Sequence, residues 1–109
     1  MNKVFLIGRL TADPERVTTA VRYTLAVDRW GDKGADFIRC VAFDKRGDFA
    51  MTYLHKGMKI AIAGRIQTGS YKNKDGKTVY TTDVVIEDQE FCEKKQDFAP
   101  EDDTENPFV

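Results

Sequence analysis

The chain changes its hydrophobic period once, and that single change limits the folds open to it. Strands are expected over Asn2 to Leu10, Arg22 to Arg29, Asp36 to Phe43, Met58 to Thr68 and Thr78 to about Ile86 (with room for the last to run on to Phe91), where apolar residues tend to recur at alternate positions. Only between Asp44 and His55 do Phe49, Ala50, Tyr53 and Leu54 fall at helical spacing. Asp44 stands where it can cap the start, and Gly57 suits the residue beyond the end. Asp13-Pro14 and Asp75-Gly76 mark turns, and Trp30 to Gly34 reads as a connecting loop.

Five strands with one helix between the third and fourth match the OB-fold, a five-stranded, partly open barrel. The expected fold class is therefore all-β, with one OB domain over residues 1–92 of the 109. Periodicity stops after Cys92. Residues 97–109 hold five acidic side chains and no basic one, so 93–109 is expected to be a disordered acidic tail. The net charge of −1 conceals this division. Residues 1–92 carry 15 Lys/Arg against 12 Asp/Glu, a net +3, whereas 93–109 carry 2 against 6, a net −4.

Within the body, the third strand is the most unusual. Its alternation sets Phe37, Arg39, Val41 and Phe43 on one face and Ile38, Cys40 and Ala42 on the other. The second set is small and apolar, as a core face should be. The first mixes flat aromatics with a guanidinium, which suits nucleic acid: bases stack on the rings while phosphates meet the cation. Two Phe residues facing a second apolar layer, with Arg39 snorkelling from its edge, would read the same way.

Other chemistries find little support. His55 is the single histidine, which argues against a His-based zinc site or a Ser-His-Asp triad. Cys40 and Cys92 are far apart and read as two inert thiols. No apolar run approaches the roughly 20 residues of a membrane span, and Met1-Asn2-Lys3 leads straight into a strand, so a cytoplasmic protein is expected. No catalytic residue, metal or cofactor is expected.

With these elements placed, the chain resembles the bacterial single-stranded DNA-binding proteins. The resemblance is carried by Asn2 to Thr11 with Asp13-Pro14, Tyr23 to Arg29, Asp36 to Phe43, Tyr53 to Gly57, Gly64 to Thr68 and Tyr80 to Val84, in order. It implies a homotetramer of OB barrels, associated with the nucleoid, around which single-stranded DNA wraps during replication, recombination and repair. Carried over by position, the stacking aromatics fall on Trp30, Phe37, Phe43 and Tyr71. The neighbouring cations are Arg29, Lys33, Arg39, Lys72, Lys74 and Lys77; any one such residue is more often a solvated charge than a phosphate contact, so they rank below the aromatics. The family's acidic Pro-Phe terminus, which docks replication and repair proteins, corresponds to Asp102, Asp103, Glu105, Pro107 and Phe108. Two departures stand out: Pro14 to Arg22 is short for the family's first hairpin, and Val109 follows the terminal Phe.

Two other functions fit the same fold. One is an OB module for RNA or for a primosome. The other is a metal-dependent nuclease using Asp28, Asp44 or Asp83, although these do not stand in a spacing that demands a metal pair.

Overall fold

A computed structural model describes residues 1–31 and 33–92. The strands are β1 (Val4–Leu10), β2 (Glu15–Val17), β3 (Ala20–Asp28), β4 (Ala35–Phe43), β5 (Lys59–Lys72) and β6 (Thr78–Phe91), with α1 (Asp44–Tyr53) between β4 and β5. All belong to one sheet of order β1-β5-β6-β4-β3-β2, and a further β1–β3 pairing closes it into a barrel. The five expected strands and the helix are present, in the OB arrangement. β2 is additional: three exposed residues that pair with Ala20 to Arg22 of β3 and make the short first hairpin.

The alternation predicted from sequence governs which residues enter the barrel. Val21, Tyr23 and Leu25 of β3, Cys40 and Ala42 of β4, Ile60 and Ile62 of β5 and Val84 and Ile86 of β6 form the core. Val41 departs from the expected pattern. It faces away from that core yet is buried, because Ala20 and Val85 pack with it in a second, smaller cluster on the other side of the sheet.

Helix α1 contributes Ala50 and Leu54 to the core. Its Gly47 sits so near β3 and β4 that a Cβ there would lie 3.0 Å from the Ala42 carbonyl oxygen and 3.1 Å from a Val21 methyl. Asp44 does not cap the helix. The N-cap is Phe43, which offers no side-chain hydrogen bond, and Asp44 begins the first turn at φ +54°. Its carboxylate still lies at the end of the helix dipole that favours negative charge.

The β5–β6 hairpin is long, and a bulge shapes it. Ala63 pairs with Asp88 but Gly64 pairs with Ile86, so Glu87 is the extra residue, which bends β6 around the barrel. Gly64 is required at this bend: a Cβ there would lie 2.3 Å from the Val85 carbonyl oxygen. Gly64→Ala should therefore destabilise the domain by about 1–3 kcal/mol or more, since backbone must shift to admit the methyl group. Urea unfolding of the variant beside the parent measures it.

Candidate nucleic-acid interface

The outward face of β4 carries Phe37, Arg39 and Phe43, with the buried Val41 between the last two. Phe37 is 67% exposed and Phe43 40%, far too open for an apolar layer. The two rings sit six residues apart on one strand, about 20 Å at the rise of an extended chain. β3 supplies the adjoining row, with Ala26 opposite Phe37, Thr24 opposite Arg39 and Arg22 opposite Val41.

Next to Phe37 lies a cleft of about 490 Å³, where the hairpin leaves the barrel. Its floor includes Val4, Leu6, Ile38 and Val84, and Phe37, Arg39, Tyr71 and Tyr80 line it as well. Tyr71 is 57% exposed and Tyr80 81%. Arg39 also borders a second, more polar depression of about 220 Å³, shared with Asp13, Glu15, Arg22 and Asp83. This arginine is the residue that the two depressions have in common.

The flanking loops bring the remaining predicted residues. Trp30 stands fully exposed in the β3–β4 loop beside Gly31, whose φ of +73° a glycine accepts readily. Lys33 is exposed in the same loop, and Arg29 anchors it, its backbone N–H donating to the Gly34 carbonyl at 3.1 Å. At the β5–β6 tip the Asn73 carboxamide oxygen accepts from the backbone N–H groups of Asp75 and Lys77, each at 3.0 Å. Gly76 takes the expected positive φ. This turn holds Lys72, Lys74 and Lys77 outward, all exposed and without an ion pair among the described residues.

The structure thus brings Phe37, Arg39 and Tyr71 to one cleft, while Trp30, in the β3–β4 loop, and Phe43, the last residue of β4, lie at opposite ends of the strand pair. Two things escaped the sequence reading. Arg29 and Arg39 are not bare cations: Arg29 Nε donates to Asp36 at 3.0 Å, and Arg39 Nε donates to Asp83 at 3.0 Å. Tyr80 and Arg22 also belong to this surface. The alternation of β3 already set Arg22 on the same face as Thr24 and Ala26, and Tyr80 lies in β6 opposite Ser70, the residue before Tyr71. The predicted tail residues Asp102, Asp103, Glu105, Pro107 and Phe108 lie outside the described residues, as does the whole of 93–109.

A closed barrel whose outer strands, loop and hairpin set exposed aromatics beside cations is an oligonucleotide-binding protein of the OB type. The profile described as "Single-strand binding protein family" matches residues 1–92. Over 100 residues the chain is 50% identical to the single-stranded DNA-binding protein of Clostridium perfringens, covering 85% of this chain and 67% of that one. It is 44% identical over 109 residues to single-stranded DNA-binding protein 3 of Listeria innocua, covering 91% and 68%. The match thus spans about two thirds of the length of these relatives. A solved structure titled "Plasmodium falciparum SSB complex with ssDNA" shares the fold, with a TM-score of 0.74 at 22% identity over 85% of this chain and 96% of that chain. The chain belongs to the single-strand binding protein family, whose members are non-enzymatic DNA-binding proteins. A nuclease reading of Asp83 lapses with that membership, and its carboxylate is engaged with Arg39 instead.

Beneath the interface, burial holds two groups neutral. It pushes the Tyr23 hydroxyl far above its usual range, and that hydroxyl donates to the Gln89 side-chain oxygen at 2.7 Å. Burial, reinforced by the charge of Asp83, pushes the Cys40 thiol up to about 12. The unfolded thiol ionises at a lower pH than the folded one, so the unfolded state binds fewer protons and stability falls as pH rises. Between about pH 9 and 12, Cys40 should therefore contribute a progressive loss of stability. Denaturant melts across this range should show a shallower decline for Cys40→Ala than for the parent.

Proposed function

We propose that the chain binds single-stranded DNA without regard to base sequence, stacking bases on Trp30, Phe37, Phe43 and Tyr71 while Lys and Arg side chains meet the phosphates. The observation that carries this reading is the strand face on which Phe37 stands exposed beside Arg39, opening onto a cleft that also holds Tyr71 and Tyr80. Every base has a π-face, so such platforms tolerate any sequence, and Lys33, Lys72, Lys74 and Lys77 track the backbone together with Arg29 and Arg39. The proposed role is in replication, recombination and repair, in the cytoplasm at the nucleoid. Among the described residues no helix is long and apolar enough to cross a membrane.

Binding of oligo-dT should quench the single tryptophan, Trp30. Ala at Trp30 or Phe37 should weaken binding by about 1–3 kcal/mol for each base that loses its platform. Affinity should fall with salt at about −0.7 per phosphate neutralised in log–log terms. Trp30 emission reads the first; polarisation of a dye-labelled oligo-dT at several salt concentrations, with oligo-U and duplex DNA as competitors, reads the other two for the parent and each variant. Equal affinity for duplex would overturn the proposal, and preference for oligo-U would favour an RNA module.

The barrel acts as one subunit of a homotetramer. In support, β1 is hydrogen-bonded to β3 only at Arg9 and Leu10, leaving the edge ahead of them open to a second chain. Phe5 and Ile7 are 75% and 55% exposed beside Ala61 and Ala63. Residues 93–109 form a separate tail whose Asp102, Asp103, Glu105, Pro107 and Phe108 recruit replication and repair proteins. Truncation after Gln96 should leave the tetrameric state unchanged and oligo-dT affinity intact or slightly tighter at low salt, while abolishing capture of such a partner. Light scattering, the same titration and a partner pull-down separate these outcomes.

A further inference from the structure

Among the cations at the centre of the interface, Arg39 is the one that borders both depressions, and it already has an anionic partner. Its Nε donates to Asp83 Oδ1 at 3.0 Å across 44 positions of sequence. The Arg39 side chain is 53% exposed, whereas Asp83 is 25% exposed. The carboxylate is thus fixed in β6, while the guanidinium keeps its remaining N–H groups open to a ligand. Asp13 and Glu15 add further negative charge around the same polar depression, and Arg22 is the other cation lining it.

We propose that Asp83 is a resident anion that competes with a DNA phosphate for Arg39 and so lowers the affinity and salt sensitivity of the interface. This rests on the single-stranded DNA reading above and concerns how that site is tuned. A phosphate arriving at Arg39 must either displace Asp83 or share the guanidinium with a carboxylate whose charge repels it. A half-exposed ion pair in water is weak, so displacement is feasible and the competition is finite. The opposite role is also physically defined: a carboxylate that merely aims Arg39 at the strand would strengthen binding, and losing it would weaken the complex.

The decisive variant is Asp83→Asn, which keeps the shape and removes the charge, with Asp83→Ser as a second variant should Asn perturb the fold. Each is tested as the full chain against oligo-dT, from low to high salt. Competition by Asp83 requires that Asp83→Asn bind about two- to fivefold more tightly at low salt, the range over which an exposed pair acts. Its log–log salt slope should steepen by up to about 0.7, the increment for one more phosphate neutralised. In an Arg39→Gln background the gain should vanish. Asp48→Asn, which removes a carboxylate from the helix, where it pairs with Arg16, controls for net charge and should leave the slope unchanged. Weaker or unchanged binding by both Asp83 variants, or an equal gain without Arg39, overturns the inference. Failure of the parent chain to bind oligo-dT would instead strike the functional reading itself.

Discussion

Everything in this domain depends on how the sheet closes. β1 joins β3 through only two residue pairs, Arg9 with Ala26 and Leu10 with Leu25. β4 joins β6 in parallel through two more, Cys40 with Val84 and Val41 with Val85. So few ladder contacts could not hold a barrel by hydrogen bonding alone, because each such bond adds only about 0.5–1.5 kcal/mol net. Burial of the seam residues supplies the rest. Leu10, Leu25, Cys40, Val84, Val41 and Val85 are all within 9% of complete burial, and an aliphatic side chain of this kind contributes about 1.5–3 kcal/mol when removed from water.

The second seam also fixes the interface. Cys40 faces the core at the junction with β6, and its sequence neighbour Arg39 faces outward at the same junction. That is why a β6 carboxylate, Asp83, can reach Arg39 at all. Because β4 is anchored by the barrel on its inner face, Phe37 and Arg39 stand on a rigid element rather than on a loop. Such placement keeps a binding group close to its productive geometry. Trp30 and the hairpin lysines have the opposite character, being carried by connections at the margin of the barrel.

What could be read from the sequence follows from which interactions are local. Alternation along β3 and β4 identified the core face and the exposed Phe37, since a strand's period needs no knowledge of its partners. Asp75-Gly76 announced the hairpin because turn chemistry is contained within four residues. β2 escaped because Glu15, Arg16 and Val17 are all exposed and carry no pattern. The burial of Val41 depends on Ala20 and Val85, one from each adjoining strand, which no window around β4 contains. The Arg39–Asp83 pair hid for the same reason. The candidate cations could be named, but whether each was already engaged depended on strand register.

That distinction divides the basic groups by their electrostatic surroundings. Arg29 and Arg39 are held against carboxylates on the platform itself, so their geometry is set before any strand arrives. Lys72, Lys74 and Lys77 project from a tip stiffened by Asn73 and carry no such partner among the described residues. Unpaired, exposed charges act over roughly a Debye length, about 8 Å at physiological salt, and suit early attraction of a polyanion. Paired arginines contribute little at a distance, because their neighbours cancel much of their field, and matter only at contact. On the single-stranded DNA reading proposed above, a domain whose body carries a net charge of only +3 would concentrate its attraction at the hairpin and keep the aromatic strand for close engagement. The small overall charge is therefore a poor guide to where such a chain meets its ligand, and the arrangement of paired and unpaired cations is the better one.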